Sequence, residues 1–102
     1  MIRAEFVKSK EGFTRFSVSG HAGYADEGED IVCAGVSSAV VLVLNLLEQF
    51  SAKGDCLVEE NKLGFSCQQI TKETELLIGG LYEHLTVLSE DYPKHICVKL
   101  GR

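Results

Sequence analysis

Apolar and polar residues alternate in the first part of the chain. In residues 2–8 and again in residues 13–19, every second position is mostly apolar, which is the period of a half-buried β-strand. The turn-forming segment Lys10-Glu11-Gly12 separates the two stretches. The pattern therefore predicts an N-terminal β-hairpin that ends at Gly20.

A long apolar segment then replaces the alternation. Residues 31–50 are apolar almost all round, and this composition predicts a helix buried at the centre of the core. Asp30 is a favourable N-cap residue, and Gly54 is expected to stop the helix. The acid-rich segment 22–29 between hairpin and helix lacks an apolar period and predicts a mobile loop.

The second half of the chain has the same order of predicted elements, a hairpin followed by a helix. Residues 56–60 and 63–70 read as strands joined at Asn61-Lys62, and Pro93 precedes a last strand, 95–100. Between them we predict a helix capped by Thr71 or Thr74, whose apolar stripe is Leu76, Leu77, Leu81, Leu85, Leu88 and Tyr92.

The elements together predict an α+β fold. Their order is strand-strand-helix-strand-strand-helix-strand, which favours a mostly antiparallel sheet with two helices packed on it. The 102 residues suffice for a single domain, 1–102. Gly79-Gly80 lies inside the second helix and suggests close packing against another backbone, such as that of a second subunit.

Composition narrows the class of protein. Hydrophobic residues make up 45% and charged residues 25%, as in ordinary globular proteins. A net charge of -5 argues against direct nucleic-acid binding and suits a basic partner. We recognise no signal peptide, and the longest unbroken apolar run, 39–44, is too short for a membrane span. We therefore expect a cytoplasmic protein without membrane contact.

The four cysteines lack the CxxC spacing of a redox or zinc pair. Cys56, Cys67 and Cys97 fall in strand-like segments, where a thiol is usually a small buried hydrophobe. Cys33 differs, because the predicted cap at Asp30 places it third in the apolar helix, where the helix dipole favours thiolate. The loop carboxylates nearby oppose this effect, so the net direction depends on whether His21 is protonated beside the sulfur.

A histidine lies across the acid-rich loop from this cysteine. If the loop folds back, His21 can act as base to Cys33 and later protonate a leaving amine. Backbone N–H groups from Cys33 to Gly35, with Gly20 or Gly23 nearby, could hold an oxyanion. A core thiol with a surface histidine, and a zinc shell completed by loop carboxylates, remain alternatives, although the spacing matches no common zinc motif.

The segment 20–40, Gly-His-Ala-Gly-Tyr-Ala-Asp-Glu-Gly-Glu-Asp-Ile-Val-Cys-Ala-Gly-Val-Ser-Ser-Ala-Val, resembles the signature of the Prp family of ribosomal-processing cysteine proteases from Firmicutes and related bacteria. The resemblance implies a cysteine endopeptidase without metal or cofactor, with Cys33 as nucleophile, His21 as base and Asp30 as a further catalytic residue or only a helix cap. We expect substrate contacts at residues near this pair in sequence: Gly20, Ala22, Gly23, Tyr24, Ala34 and Ser37.

The same resemblance implies a substrate and an assembly state. Family members are homodimers that remove the N-terminal extension of large-subunit ribosomal protein twenty-seven after a phenylalanine. The acid-rich loop is compatible with such a basic protein. A non-catalytic, ribosome-associated module that binds the same precursor is the alternative. Tyr24, Val36 and Val40 are candidates for the specificity pocket, because they lie near the site in sequence.

Overall fold

A computed structural model describes residues 1–20 and 27–102, with residues 27–30 described by their backbone only. Five strands and two helices follow one another in the predicted order: β1 (Ile2–Ser9), β2 (Gly12–Ser19), α1 (Glu27–Gln49), β3 (Gly54–Glu59), β4 (Lys62–Cys67), α2 (Lys72–Asp91) and β5 (Ile96–Gly101). The strands form one sheet in the order β3-β4-β2-β1-β5. Only the β1–β5 pair is parallel among these strands, so the predicted α+β fold is confirmed.

The core lies on one face of the sheet. Buried and exposed residues alternate along β1 from Ile2 to Phe6, as expected for a sheet covered on one side. Phe6 pairs in register with Phe16, which pairs with Phe65 on β4, so three phenylalanines form a row across the strands. The ring of Phe6 also meets Tyr82 of α2, with centroids 5.1 Å apart. Both helices pack against this row and its neighbours.

The composition of helix α1 predicts burial on all sides, but the structure buries only one side of it. Its buried residues follow a single stripe at helical spacing: Val32, Val36, Val40, Val43 and Leu47. Val41 and Leu42 are 45% and 58% exposed on the other side. A helix that lies on one face of a single sheet can cover only one stripe, which is why the prediction fails. By length and composition alone, Ile31–Gln49 could also cross a membrane.

Both predicted ends of α1 are wrong. The helix begins at Glu27, so Asp30 lies in its first turn and not at the cap. An acidic sequence is typical of a first turn, which explains why residues 27–29, predicted as the end of a mobile loop, are helical. The rest of that predicted loop, 22–26, lies outside the described residues. Ser51 ends the helix at a φ of 55°, where Ala52 N–H donates to the Leu47 carbonyl over 2.9 Å. This Schellman arrangement needs no glycine, and Gly54 belongs to β3.

Helix α2 confirms its predicted cap. The Thr71 hydroxyl accepts from Thr74 N–H at 3.1 Å, and Thr71 N–H donates to the Thr74 hydroxyl at 2.9 Å, which forms a capping box. The buried stripe is Thr74, Ile78, Leu81 and Leu85. Leu76 was predicted to be part of it but is 65% exposed, because it lies two positions from Thr74 and Ile78 and so on another face.

The predicted burial of the strand cysteines and the predicted close packing at Gly79-Gly80 are not found in the described chain. Cys56 is exposed and not buried, because β3 is an edge strand. Cys67 and Cys97 are half-buried, and all four cysteines are free. A Cβ at Gly80 would meet no described atom within 4 Å, and one at Gly79 only the Phe13 ring at 3.4 Å. The described chain therefore holds no backbone pressed against this pair, and a second subunit there stays a prediction.

Candidate active site

Cys33 lies in the second turn of α1, half-buried beside the sheet. Because the helix begins at Glu27, Cys33 lies beyond the four unpaired N–H groups of the first turn. The N–H groups of residues 33–35 then have carbonyl partners four residues earlier in the helix. The expectation of a third-position thiol among free donors is wrong for this conformation. The effect of the helix dipole also weakens beyond the first turn.

Cys33 lines a cavity of about 120 Å³. The cavity lies between the N-terminal half of α1, the ends of β1 and β2, and the turn from β3 to β4. Its apolar lining residues are Ile2, Val18, Val36, Val40 and Leu63. Polar groups come from Ser37 and from the turn residues Glu60, Asn61 and Lys62. A sulfur beside a partly apolar cavity can contact the backbone carbonyl of a peptide residue when that residue's side chain enters the cavity.

Gly20 lines the same cavity and fixes the end of the backbone segment that leads from β2 to His21, here called the stem of His21. Its φ is +82°, and a Cβ there would collide with the backbone carbonyl oxygen of Met1. Its N–H donates to the Asn61 carbonyl over 3.1 Å. The residue before His21 is thus held between the N-terminus and the β3–β4 turn, on the cavity that Cys33 also lines.

The predicted site residues divide into three groups. Gly20, Cys33 and Ser37 lie on one cavity, as do the pocket candidates Val36 and Val40. Ala34 is exposed on α1 and is not among the lining residues. His21, Ala22, Gly23, Tyr24 and the side chain of Asp30 lie outside what the structure describes, so their predicted roles stay predictions.

The sequence predicts the β3–β4 turn but not its place beside Cys33. Residues 60–62 read only as a hairpin turn, more than twenty residues from Cys33. Antiparallel pairing of β2 with β4 sets Ser19 opposite Lys62 and so carries the turn to the stem of His21. No local signal in the sequence indicates this. Within the described ranges, no three His, Cys, Asp or Glu residues are grouped to hold a metal ion.

Comparison with known sequences identifies the family. The family model described as cysteine protease Prp matches residues 1–97. The ribosomal processing cysteine protease Prp of Bacillus subtilis is 29% identical over 96% of this chain and 96% of its own length. That of Mycoplasma pneumoniae is 31% identical over 88% of this chain and 90% of its own.

Solved structures have the same fold. SMU.848 from Streptococcus mutans superposes with a TM-score of 0.87 at 28% identity, over 99% of this chain and 94% of its own. The Prp protease of Staphylococcus aureus, in complex with a covalently linked product peptide, gives 0.87 at 23% identity, over 99% and 100%. The likeness to the second shows the fold alone. From the family match over residues 1–97, the chain belongs to the cysteine protease Prp family and is a cysteine protease.

Proposed function

We propose that the chain is an endopeptidase in which Cys33 is the nucleophile and His21 its base, and that it removes the N-terminal extension of large-subunit ribosomal protein twenty-seven. One observation carries the proposal: Cys33 and Gly20, the residue before His21, line the same cavity. The relatives are named ribosomal processing proteases, which supports the substrate class. The cytoplasm, where ribosomal proteins are made, is the proposed place of action.

In the proposed reaction, the Cys33 sulfur attacks the carbonyl carbon of the scissile peptide bond. The thiol proton passes to His21, and from there to the nitrogen of the leaving segment as the C–N bond breaks. Water then attacks the thioester carbon and gives a proton to His21. The C–S bond breaks, and His21 returns the proton to the sulfur. This step releases the acid product and restores the thiol. Asp30 is proposed to orient His21. A net charge of -5 favours approach of a basic precursor.

The test is cleavage of a peptide that spans the extension junction of the precursor. Cys33→Ala and His21→Ala should each lower kcat/KM by at least about a thousandfold, because removing either member of a nucleophile–base pair abolishes the unit. Cys56→Ala is the matched control, since Cys56 is an exposed thiol on β3. Wild-type rates in both site variants would refute the assignment. Binding without cleavage by the wild type would favour the non-catalytic module.

We also propose that the chain forms a homodimer through its exposed helical surface. A groove of about 310 Å³ between α1 and α2 is almost wholly apolar and includes Leu42, Leu76 and Gly80. Leu42 and Leu76 are 58% and 65% exposed, which is typical of an interaction surface when such residues adjoin. Light scattering should show a dimer for the wild type and a monomer for Leu42→Glu. A wild-type monomer at all concentrations would contradict this proposal.

A further inference from the structure

A groove runs from the region of Cys33 along α1 and the edge strand β3. It measures about 410 Å³, and its walls are α1 on one side and β3 on the other. We propose that this groove holds an extended segment of the substrate that follows the cleaved bond, and that apolar and basic residues alternate along that segment. The segment would pair with β3 as a sixth strand of the sheet. This inference rests on the proposed function, because it assigns a further contact of the same substrate.

Helix α1 connects the groove with the cavity beside Cys33. Four residues spaced four apart form one continuous row along the helix surface: Cys33, Ser37, Val41 and Asn45. The first two line the cavity, the last two line the groove, and Leu63 of β4 lines both. A rise of about 1.5 Å per helical residue makes this row roughly 18 Å long, which is the length of about five residues of an extended chain. An extended segment that leaves the sulfur along this row therefore lies in the groove.

Strand β3 offers backbone groups to such a segment. It lies at the edge of the sheet, and β4 is its only partner among the described strands. The Gln68 N–H donates to the Lys53 carbonyl over 2.9 Å, so these two residues form a hydrogen-bonded pair. Such pairs alternate along an antiparallel ladder, so the N–H and carbonyl groups of Gly54 and Val58 face away from β4. Outward-facing groups of this kind are a template for one more strand.

The side chains next to this edge predict apolar residues at every second position of the added strand. Val58 pairs in register with Leu63, so it lies on the face of the sheet that carries the helices. Val58 is nevertheless 69% exposed, and Val41 across the groove is 45% exposed. Every second side chain of an added strand would cover these valines, and burial of apolar surface stabilises the pairing.

The other positions of the added strand would meet carboxylates. Side chains alternate along β3, so Asp55 and Glu59 lie on the opposite face of the sheet from Val58. Carboxylates on β3 and beside it outnumber the neighbouring lysines, Lys53 and Lys62; the carboxylates are Glu48, Asp55, Glu59 and Glu60. Opposite charges on neighbouring strands attract, which favours lysine or arginine at the positions between the apolar residues.

The direction of β3 identifies the part of the substrate that fits. Strand β3 runs toward the turn at residues 60–62, which borders the cavity beside Cys33. A segment that follows the cleaved bond runs away from Cys33, so it is antiparallel to β3, and antiparallel pairing is the more stable per residue. The mature part of the proposed precursor is a ribosomal protein, whose basic side chains neutralise the phosphates of RNA. Strand direction and charge therefore both favour the residues after the cut.

The experiment compares two peptides with the same sequence around the cleaved bond. The short peptide ends soon after that bond, and the long peptide adds about six residues, the length of β3, in which valine alternates with lysine. Val58→Lys and Val41→Lys each place a charge in the groove. Val87→Lys is the matched control, because Val87 is 58% exposed on α2 and does not line the groove.

The expected readout is the ratio of kcat/KM between the long and the short peptide. The wild type should cleave the long peptide at least about tenfold more efficiently, because several cross-strand pairs add their contributions. Val58→Lys and Val41→Lys should remove most of this advantage and leave the short peptide unaffected. Val87→Lys should leave the ratio unchanged. Equal kcat/KM for both peptides in the wild type would overturn the proposal.

N-methylation of the long peptide tests whether its backbone pairs with β3. In an added strand, every second N–H faces β3 and the N–H groups between them face solvent. Methylation at the first set should lower kcat/KM to the level of the short peptide, whereas methylation at the second set should leave it high. The same effect at adjacent positions would refute the added strand.

Binding to Cys33→Ala separates this inference from the proposed function. By calorimetry, the long peptide should bind this variant more tightly than the short one, and a second substitution, Val58→Lys, should cancel the difference. Such binding without any cleavage by the wild type would support the groove and refute the protease assignment. Equal binding of the two peptides would overturn the groove even if the wild type cleaves both. A dimer in the wild type that Val58→Lys dissociates in light scattering would assign this edge to a second copy of the chain and also overturn the proposal.

Discussion

Substitution of Gly20 by alanine tests how tightly the stem of His21 is held. The left-handed conformation at φ +82° costs a residue with a Cβ about 1–2 kcal/mol. The new Cβ would also collide with the Met1 carbonyl, so the end of β2 must move. That movement would break the 3.1 Å hydrogen bond from Gly20 N–H to Asn61, which contributes about 0.5–1.5 kcal/mol.

Together these effects predict that Gly20→Ala lowers the free energy of unfolding by about 2.5 kcal/mol. For a domain of this size, each kcal/mol shifts Tm by about 4–8 °C, so the melting temperature should fall by about 10–20 °C. Thermal unfolding followed by circular dichroism measures the shift directly. Peptide cleavage below the melting range should also slow, because the residue before the proposed base is displaced.

Gly79→Ala is the matched control. Gly79 lies inside α2, and a Cβ there would make only an ordinary contact with the Phe13 ring at 3.4 Å. Alanine is favoured over glycine in a helix by about 0.8–1 kcal/mol, so this variant should melt above the wild type. If Gly20→Ala melts within about 2 °C of the wild type, the conclusion that Gly20 is held between Met1 and Asn61 is refuted.

Three other substitutions or reactions test single features of the fold. Thr71→Ala removes the cap hydroxyl of α2 and should lower stability by about 0.5–2 kcal/mol, measured by urea unfolding; an unchanged midpoint would contradict the capping box. Ser51→Gly relieves the left-handed strain at the end of α1 and should raise stability by up to about 1 kcal/mol in the same assay, whereas a loss would show that the side chain contributes there. Burial raises the pKa of Cys67, with Glu75 adding to the rise and Thr74 opposing it, so its alkylation at pH 8 should be slower than that of Cys56 and should still increase above pH 9.0. Equal alkylation rates by mass spectrometry would contradict that burial.

Local pattern was sufficient for the order of the elements and for the α2 cap. Alternation over residues 2–8 and 13–19 specifies the N-terminal strands, because side chains in a strand face alternate sides. The sequence narrowed the α2 cap to Thr71 or Thr74, because a cap hydroxyl bonds to a backbone N–H only two or three residues further on, and the structure has Thr71 there. The signature around Cys33 likewise indicated the family, which the match over residues 1–97 confirms.

The sequence by itself thus determined the elements, the family and the candidate nucleophile, since each depends on neighbours along the chain. Only the tertiary structure decided that α1 buries one stripe, that Cys56 is exposed on an edge strand, and that the β3–β4 turn reaches the cavity beside Cys33. These features depend on strand order and on which face of the sheet the helices cover. Both are set by packing between residues far apart in sequence, which periodicity along the chain does not encode.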